Sequence, residues 1–385
     1  MKDHASAIAG PHRAPLRLLW ALLPALALVA GCGSGRPEVR GCGDATLYAN
    51  PSDPGAEGAW AVGVRTAIVA GLTTEIWYPA EPGTDADVSP ASYDIRQWLS
   101  PSEAAKIPDS SAPSQVCDCF RDLPIDAGRG PYPVIVFIHG TAGFRTQSLH
   151  FMTHWASRGF VVVAADYPGL FLGDVLTNPA GGITSHPEVK ARALIEALDH
   201  PAGNAAFLDG RIDMAQLGMA GHSAGAFALM GFGDVAKVLV PMAGSGVMPG
   251  GALQSTLVMG GLDDGVVAPK MTLAGYDAAP APKRFVGIAD AGHLVFSDLC
   301  AIKNAAGQNI LEIGEQYHIM NAELASILFD GCGAGYLTPE QGWDIVNYAS
   351  TAVFEATLQC HPKEVDDLPQ IHARFPLAAD YRQTL

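Results

Sequence analysis

Charge is scarce in this chain, and positive charge scarcer. Only 16 % of its 385 residues are Asp, Glu, Lys or Arg, with 23 basic against 39 acidic, a net charge of −16. That balance argues against non-specific nucleic-acid binding, which needs a basic surface. The apolar run Leu18–Ala30 is too short for a comfortable membrane span. Seven cysteines are present, yet no Cys-x₂-Cys pair or paired-His spacing accompanies them, which argues against a metal site. No internal repeat is visible. What is abundant is apolar residues (49 %), glycine (43) and proline (28), the composition of a compact, loop-rich globular protein with a large core.

The N-terminus carries a processing signal. Lys2, Arg13 and Arg17 precede the Leu18–Ala30 run, which ends in Val29-Ala30-Gly31-Cys32. A positive segment, a short apolar segment and small residues before a Cys resemble a bacterial lipoprotein leader. The implied product is exported and anchored to the cell envelope through lipidated Cys32. Residues 1–31 then form the signal peptide, 32–58 a Gly/Pro/Ser-rich tether, 59–360 the folded domain and 361–385 a C-terminal tail. Cys42, Cys117, Cys119, Cys300, Cys332 and Cys360 remain, an even set compatible with disulfides in an exported protein. Cys117 and Cys119 stand too close in sequence to be expected as mutual partners.

Strand and helix patterns alternate through the domain. Thr66–Val69 and Thr74–Tyr78 read as a hairpin turning at Ala70-Gly71-Leu72. Residues 80–131 are a Pro/Asp/Ser-rich excursion, with one short helix near Tyr93–Ala105. Val134–Ile138 and Phe160–Ala165 are continuous apolar runs, as in strands buried on both faces. Helical spacing marks residues 146–158 and Pro187–Leu198, with a Gly-rich loop at 169–184. Further strands are expected at Leu217–Ala220, Val238–Val240, Thr256–Met259 and Arg284–Ile288. Thr338-Pro339-Glu340-Gln341 opens a final helix with a capping box. This order predicts an α/β fold with a mostly parallel sheet covered by helices on both faces, whose carboxyl edge holds the ligand site.

At the centre stands Gly221-His222-Ser223-Ala224-Gly225, between an apolar strand and the first turns of a helix. A serine flanked by glycines at a strand-to-helix turn is the nucleophile-elbow pattern. A serine hydroxyl needs a base, and the base a carboxylate to orient it. Two downstream strand ends supply them in the order acid, then histidine. One runs into Gly260-Gly261-Leu262-Asp263-Asp264-Gly265, the next into Ala289-Asp290-Ala291-Gly292-His293. His293 is the candidate base and Asp264 the preferred acid, with Asp263 as the alternative; Asp290 lies too close to His293 along one loop. The loop His139–Gly143 is placed to give an oxyanion donor from Thr141, with Ala142 as runner-up, and Ala224 gives the other. His222 reads as a packed residue under the elbow.

With these residues the chain resembles the α/β-hydrolase superfamily. More narrowly it is similar to platelet-activating-factor acetylhydrolase-like and dienelactone-hydrolase-like esterases, and more distantly to cutinase-like polyester hydrolases. Carrying that resemblance are Ile76–Ala80, Phe137–Gly140 with Gly143–Arg145, Ser157–Gly169, Gly221–Gly225, and His293 followed by Phe296-Ser297-Asp298. It implies a serine esterase acting on a small-molecule ester or lipid, with Ser223 as nucleophile, Asp264 as acid, His293 as base, and Thr141 and Ala224 as oxyanion donors. It implies no metal and no organic cofactor. The chain departs from dienelactone hydrolases, whose nucleophile is Cys, and from polyester hydrolases, which place a Trp where Pro241–Met248 has no aromatic. Leu170, Phe171, Met242 and Met248 are the candidate substrate-pocket residues. The competing readings are a non-catalytic surface-binding lipoprotein of this fold, and a peptidase or amidase of this fold.

Overall fold

The computed structural model describes residues 36–183, 185–322 and 329–385. The signal segment and Cys32 lie outside the described residues. No helix among the described residues is long and apolar enough to cross a membrane.

Among the described residues, ten strands form one sheet. In chain order they are β1 (Val62–Val69), β2 (Leu72–Pro79), β3 (Phe120–Arg121), β4 (Tyr132–Ile138), β5 (Val161–Ala165), β6 (Ile212–His222), β7 (Val238–Met242), β8 (Ser255–Gly261), β9 (Lys283–Ile288) and β10 (Ala378–Thr384). Their spatial order is β10-β9-β8-β7-β6-β4-β5-β2-β1-β3. Parallel pairing is unbroken from β5 to β9, while β1, β2 and β10 add antiparallel neighbours. The β1–β2 hairpin turns at Ala70 and Gly71, both at positive φ, as the tight connection requires.

The continuous apolar runs have a physical cause. Ile135 and Phe137 of β4 pack into one core, while Val134, Val136 and Ile138 pack into the core on the opposite face. Both faces are dry, so the alternation of a half-exposed strand is absent. Helix α1 (Leu149–Ser157) and the long helix α4 (Pro339–Leu358) close the first face. The Thr338/Gln341 capping box opens α4 as its sequence predicts. Two further helices matter for the site, the short α2 (Ala224–Ala228) and α3 (Ile310–Gln316).

Several expectations are corrected. Residues 36–58 do not form a free tether. Glu38–Arg40 pairs with Thr46–Tyr48, Cys42 is bonded to Cys360, and the carbonyls of Pro51, Asp53 and Ala56 accept from the buried Arg158 guanidinium, itself paired with Glu355. A buried cation needs such a full set of acceptors, and the Gly/Pro-rich segment supplies them from its backbone. Nor is 361–385 only a tail, because β10 pairs with β9 at the sheet edge. Its Arg382, Gln383 and Thr384 face water, so the segment lacks a strand's apolar signature. Cys117 and Cys119 bond to each other. Ala91 accepts from Cys117 N–H and donates to Cys119 O, so one residue holds the backbones of both cysteines. A third disulfide joins Cys300 and Cys332. Residues 169–184 are not a plain loop, since Leu172–Thr177 and Pro179–Ile183 are helical.

Candidate active site

Strand β6 ends at His222, and Ser223 turns the chain with φ 54° and ψ −121°, a backbone state that costs a non-glycine residue about 1–3 kcal/mol. The flanking glycines make the turn fit. A Cβ on Gly221 would lie 2.6 Å from Gly225 O, and one on Gly225 only 2.0 Å from Ile138 O. The Ser223 N–H donates to Met242 O at 3.0 Å. Its side chain stays on the wall of a pocket shared with His222 and His293.

His293 and Asp264 meet. The Nδ1 of His293 lies 2.9 Å from Asp264 Oδ2, and both side chains are buried. Asp264 Oδ1 accepts from Val266 N–H (2.8 Å) and Val267 N–H (2.7 Å), which fixes the carboxylate's rotation. These acceptor duties assign the hydrogen of His293 Nδ1 to Asp264, leaving Nε2 as the basic nitrogen. Asp263 and Asp290 are exposed, and neither is hydrogen-bonded to His293. Asp330 supports the pair from behind. Its Oδ2 accepts from His293 N–H at 2.8 Å and from Gly265 N–H at 2.9 Å, clamping the base loop to the acid loop.

In the 139–143 loop, Gly140 N–H is taken by Gln147 Oε1, Ala142 N–H by Leu170 O, and Gly143 N–H by Gly140 O. Among the described residues, the N–H groups of Thr141 and Ala224 have no acceptor. The runner-up Ala142 is therefore already engaged. His139 is buried and neutral, its Nδ1–H donating to Gly140 O while Nε2 accepts from Tyr167 N–H; burial holds its pKa below the ordinary imidazole value.

Sequence reasoning missed the groups that tie these loops together. Gln147 donates through Nε2 to His222 Nδ1 at 2.9 Å, so His222 carries its proton on Nε2 and donates to His293 O at 3.0 Å. Burial, and then the adjacent His293 ring, push the His222 pKa well below the ordinary value, which keeps this tautomer neutral. One buried chain thus links the Gly140 loop, the elbow and the His293 loop. Nothing in the sequence around Gln147 signals it, because its partners are remote along the chain.

Three of the four candidate pocket residues are also corrected. Leu170 and Met242 are fully buried in the core. Leu170 backs the 139–143 loop and Met242 holds the elbow, both through main-chain carbonyls. Phe171 pairs with Gly143 behind the same loop. Met248 is 52 % exposed on a separate open groove that also touches Thr141 and Ala224. The pocket containing Ser223 and His293 is walled instead by aliphatic side chains from residues 95–113, Leu172 and Leu176, and α3 with Ile319. The 95–113 wall is anchored by buried Arg145, which bridges Glu75, Asp166 and Gln97 beneath the Trp98 ring.

The chain matches the Chlorophyllase family model over residues 111–240, a stretch that includes Thr141, Ser223 and Ala224 and stops short of Asp264 and His293. No curated protein matches the chain. The matched family lies within the α/β-hydrolase superfamily, and the likeness suggests a hydrolase of the esterase type. With its central parallel sheet and flanking helices, the chain has the α/β-hydrolase fold.

Proposed function

We propose that the protein is a serine esterase that hydrolyses carboxylic esters through an acyl-enzyme on Ser223. His293 Nε2 takes the Ser223 proton as Oγ attacks the ester carbonyl. Asp264 holds the imidazole in the required tautomer and stabilises its protonated form. The N–H groups of Thr141 and Ala224 receive the developing oxyanion. The leaving alcohol takes the proton from His293, and water then releases the acid by the same route. The observation that carries this reading is the 2.9 Å Asp264–His293 contact beside a serine held at positive φ in one apolar pocket. The leader-like segment ending at Cys32 adds export and a lipid anchor to the proposal.

A fluorophosphonate probe tests the assignment directly. The full chain is expected to be labelled at Ser223, and Ser223→Ala to remain unlabelled. An unlabelled wild-type protein, or equal labelling of the variant, refutes the proposal.

A further inference from the structure

The chain makes one excursion whose ends are joined to each other, at Cys300 and Cys332. On its way out it carries α3 and Ile319 to the pocket wall. On its return it runs against the loop that bears His293. Leu294 N–H donates to Asp330 O at 2.9 Å, and Leu337 N–H to Asp290 O at 2.7 Å. Between these two bonds the backbones touch at a pair of glycines. A Cβ on Gly292 would lie 2.4 Å from Gly331 Cα, so the approach is open only to residues without one. That contact sets the Asp330 side chain beside the acid loop and the base loop at once.

One atom then joins the two loops. Asp330 Oδ2 accepts from both His293 N–H and Gly265 N–H, and neither N–H has another acceptor among the described residues. Gly265 stands between Asp264 and the Val266 and Val267 N–H groups that orient the Asp264 carboxylate. The carbonyl of His293 is held from the other side by His222. A single oxygen that takes both N–H groups therefore fixes how far the main chain of the acid stands from that of the base. Hydrogen bonds to a carboxylate are roughly twice as strong as neutral ones. Oδ1 accepts from Tyr336 O–H at 3.3 Å, so the carboxylate cannot turn away without losing bonds at both oxygens. The disulfide closes the arrangement. Cys332 lies just beyond Asp330, and Cys300 just beyond Asp298, whose N–H donates to Gln147 O. The returning segment is thus tied to the far end of the base loop.

Resting on the serine-esterase reading, we propose that Asp330 is a positioning residue for the Asp264–His293 pair, kept in register by the Cys300–Cys332 bond. Asp330 touches no reacting atom. It acts by holding the 2.9 Å contact between Asp264 and His293 in place before substrate arrives. Acyl transfer is sensitive to such alignment, and a displacement of about 1 Å at the reacting groups can cost about 10²-fold in rate. The bond that closes the excursion therefore bears on turnover through Asp330, and on substrate affinity through the pocket wall that the same excursion carries.

The experiment measures kcat and KM for 4-nitrophenyl acetate on the full chain and its variants, at a temperature where urea curves show each to be folded. Asp330→Ala removes the shared acceptor, and kcat is expected to fall by about 10- to 10²-fold with KM within about twofold of wild type. Asp330→Asn keeps an oxygen for both N–H groups and turns its amide nitrogen toward the Tyr336 oxygen. Its kcat is expected to recover to within about fivefold of wild type, which a loss of stability alone would not produce. Cys300→Ser with Cys332→Ser is expected to lower kcat about tenfold and to raise KM, and adding Asp330→Ala to it to lower kcat by no more than about twofold further, because both changes act through one clamp. The proposal is overturned by an Asp330→Ala enzyme with wild-type kcat, by an Asp330→Asn enzyme as slow as Asp330→Ala, or by a disulfide variant that keeps wild-type kcat. Where Asp330→Ala or the disulfide variant does not fold, the other decides. Fluorophosphonate labelling separates the two levels of failure. An unlabelled wild-type protein removes the esterase reading itself, whereas a labelled one whose variants keep its kcat overturns the positioning role alone.

Discussion

Replacing Gln147 by Leu probes whether the site is held together from behind. The side chain is 1 % exposed and engaged at both ends, accepting from Gly140 N–H at 3.1 Å and donating to His222 Nδ1 at 2.9 Å. Leucine fills much of the same space and offers neither contact. The Gly140 N–H and His222 Nδ1 are left buried and unpaired. Each such group costs about 1–3 kcal/mol, so the variant is expected to lose roughly 2–6 kcal/mol of stability. The activity loss follows from position. Gly140 precedes the proposed donor Thr141, and His222 holds the carbonyl of His293. Loosening the loop costs less than deleting an oxyanion donor, which is worth about 10²–10³ in rate; a 10- to 10²-fold fall in kcat is expected, with KM little changed. Urea denaturation gives the stability, and initial rates on a short ester at 20 °C without denaturant give kcat for the folded variant. Because Gln147 and His222 act through one bond, Gln147→Leu and His222→Phe should be non-additive, with a coupling of about 1 kcal/mol. A folded Gln147→Leu enzyme with kcat within twofold of wild type, or additive single variants, refutes the positioning argument.

Two other predictions bear on acids. Asp264→Asn is expected to lower kcat by about 10⁴, the loss typical of a triad left in the wrong tautomer, whereas Asp263→Asn stays within a few-fold; steady-state kinetics of the pair checks this, and the reverse ranking moves the role to Asp263. Asp298 gives a stability effect with a definite sign. Burial raises its carboxyl to about 7, although Gln115 and His150 N–H both donate to Oδ2 and favour the charged form. The folded state therefore binds more protons than the unfolded state between pH about 4 and about 7, and stability falls as pH rises through that window. Urea midpoints should decline over this range in wild type and decline less in Asp298→Asn, and parallel pH profiles for the two proteins sink the prediction.

How much of this was legible beforehand depends on how local the cause is. The elbow was readable because its signature lies within five residues: the turn at Ser223 leaves no room for a Cβ at Gly221, and the adjoining β4 leaves none at Gly225. The buried strands were readable because burial on both faces removes polar residues from a short run. The choice between Asp263 and Asp264 was only half readable. Adjacent residues at a strand end share nearly the same sequence context. What separates them is which carboxylate reaches Val266 and Val267 N–H while facing His293, a matter of side-chain direction.

The pocket walls were not readable at all. Residues 95–113 and α3 with Ile319 look, one segment at a time, like surface excursions with a few aliphatics. Neither carries a period long enough to announce a buried face. They become walls only where Glu103 meets Met320 N–H, Lys106 meets His318 O and Ser111 meets Tyr317, each across more than 200 residues of chain. The expected pocket residues Leu170, Phe171, Met242 and Met248 belong instead to the end of β7 and the segments that follow β5 and β7, and three of them serve the frame rather than the cavity. The ends of strands, taken in chain order, locate the candidates for moving protons. The shape of the pocket is assembled from chain the sheet does not use, so specificity on this fold has to be read from packing between distant excursions.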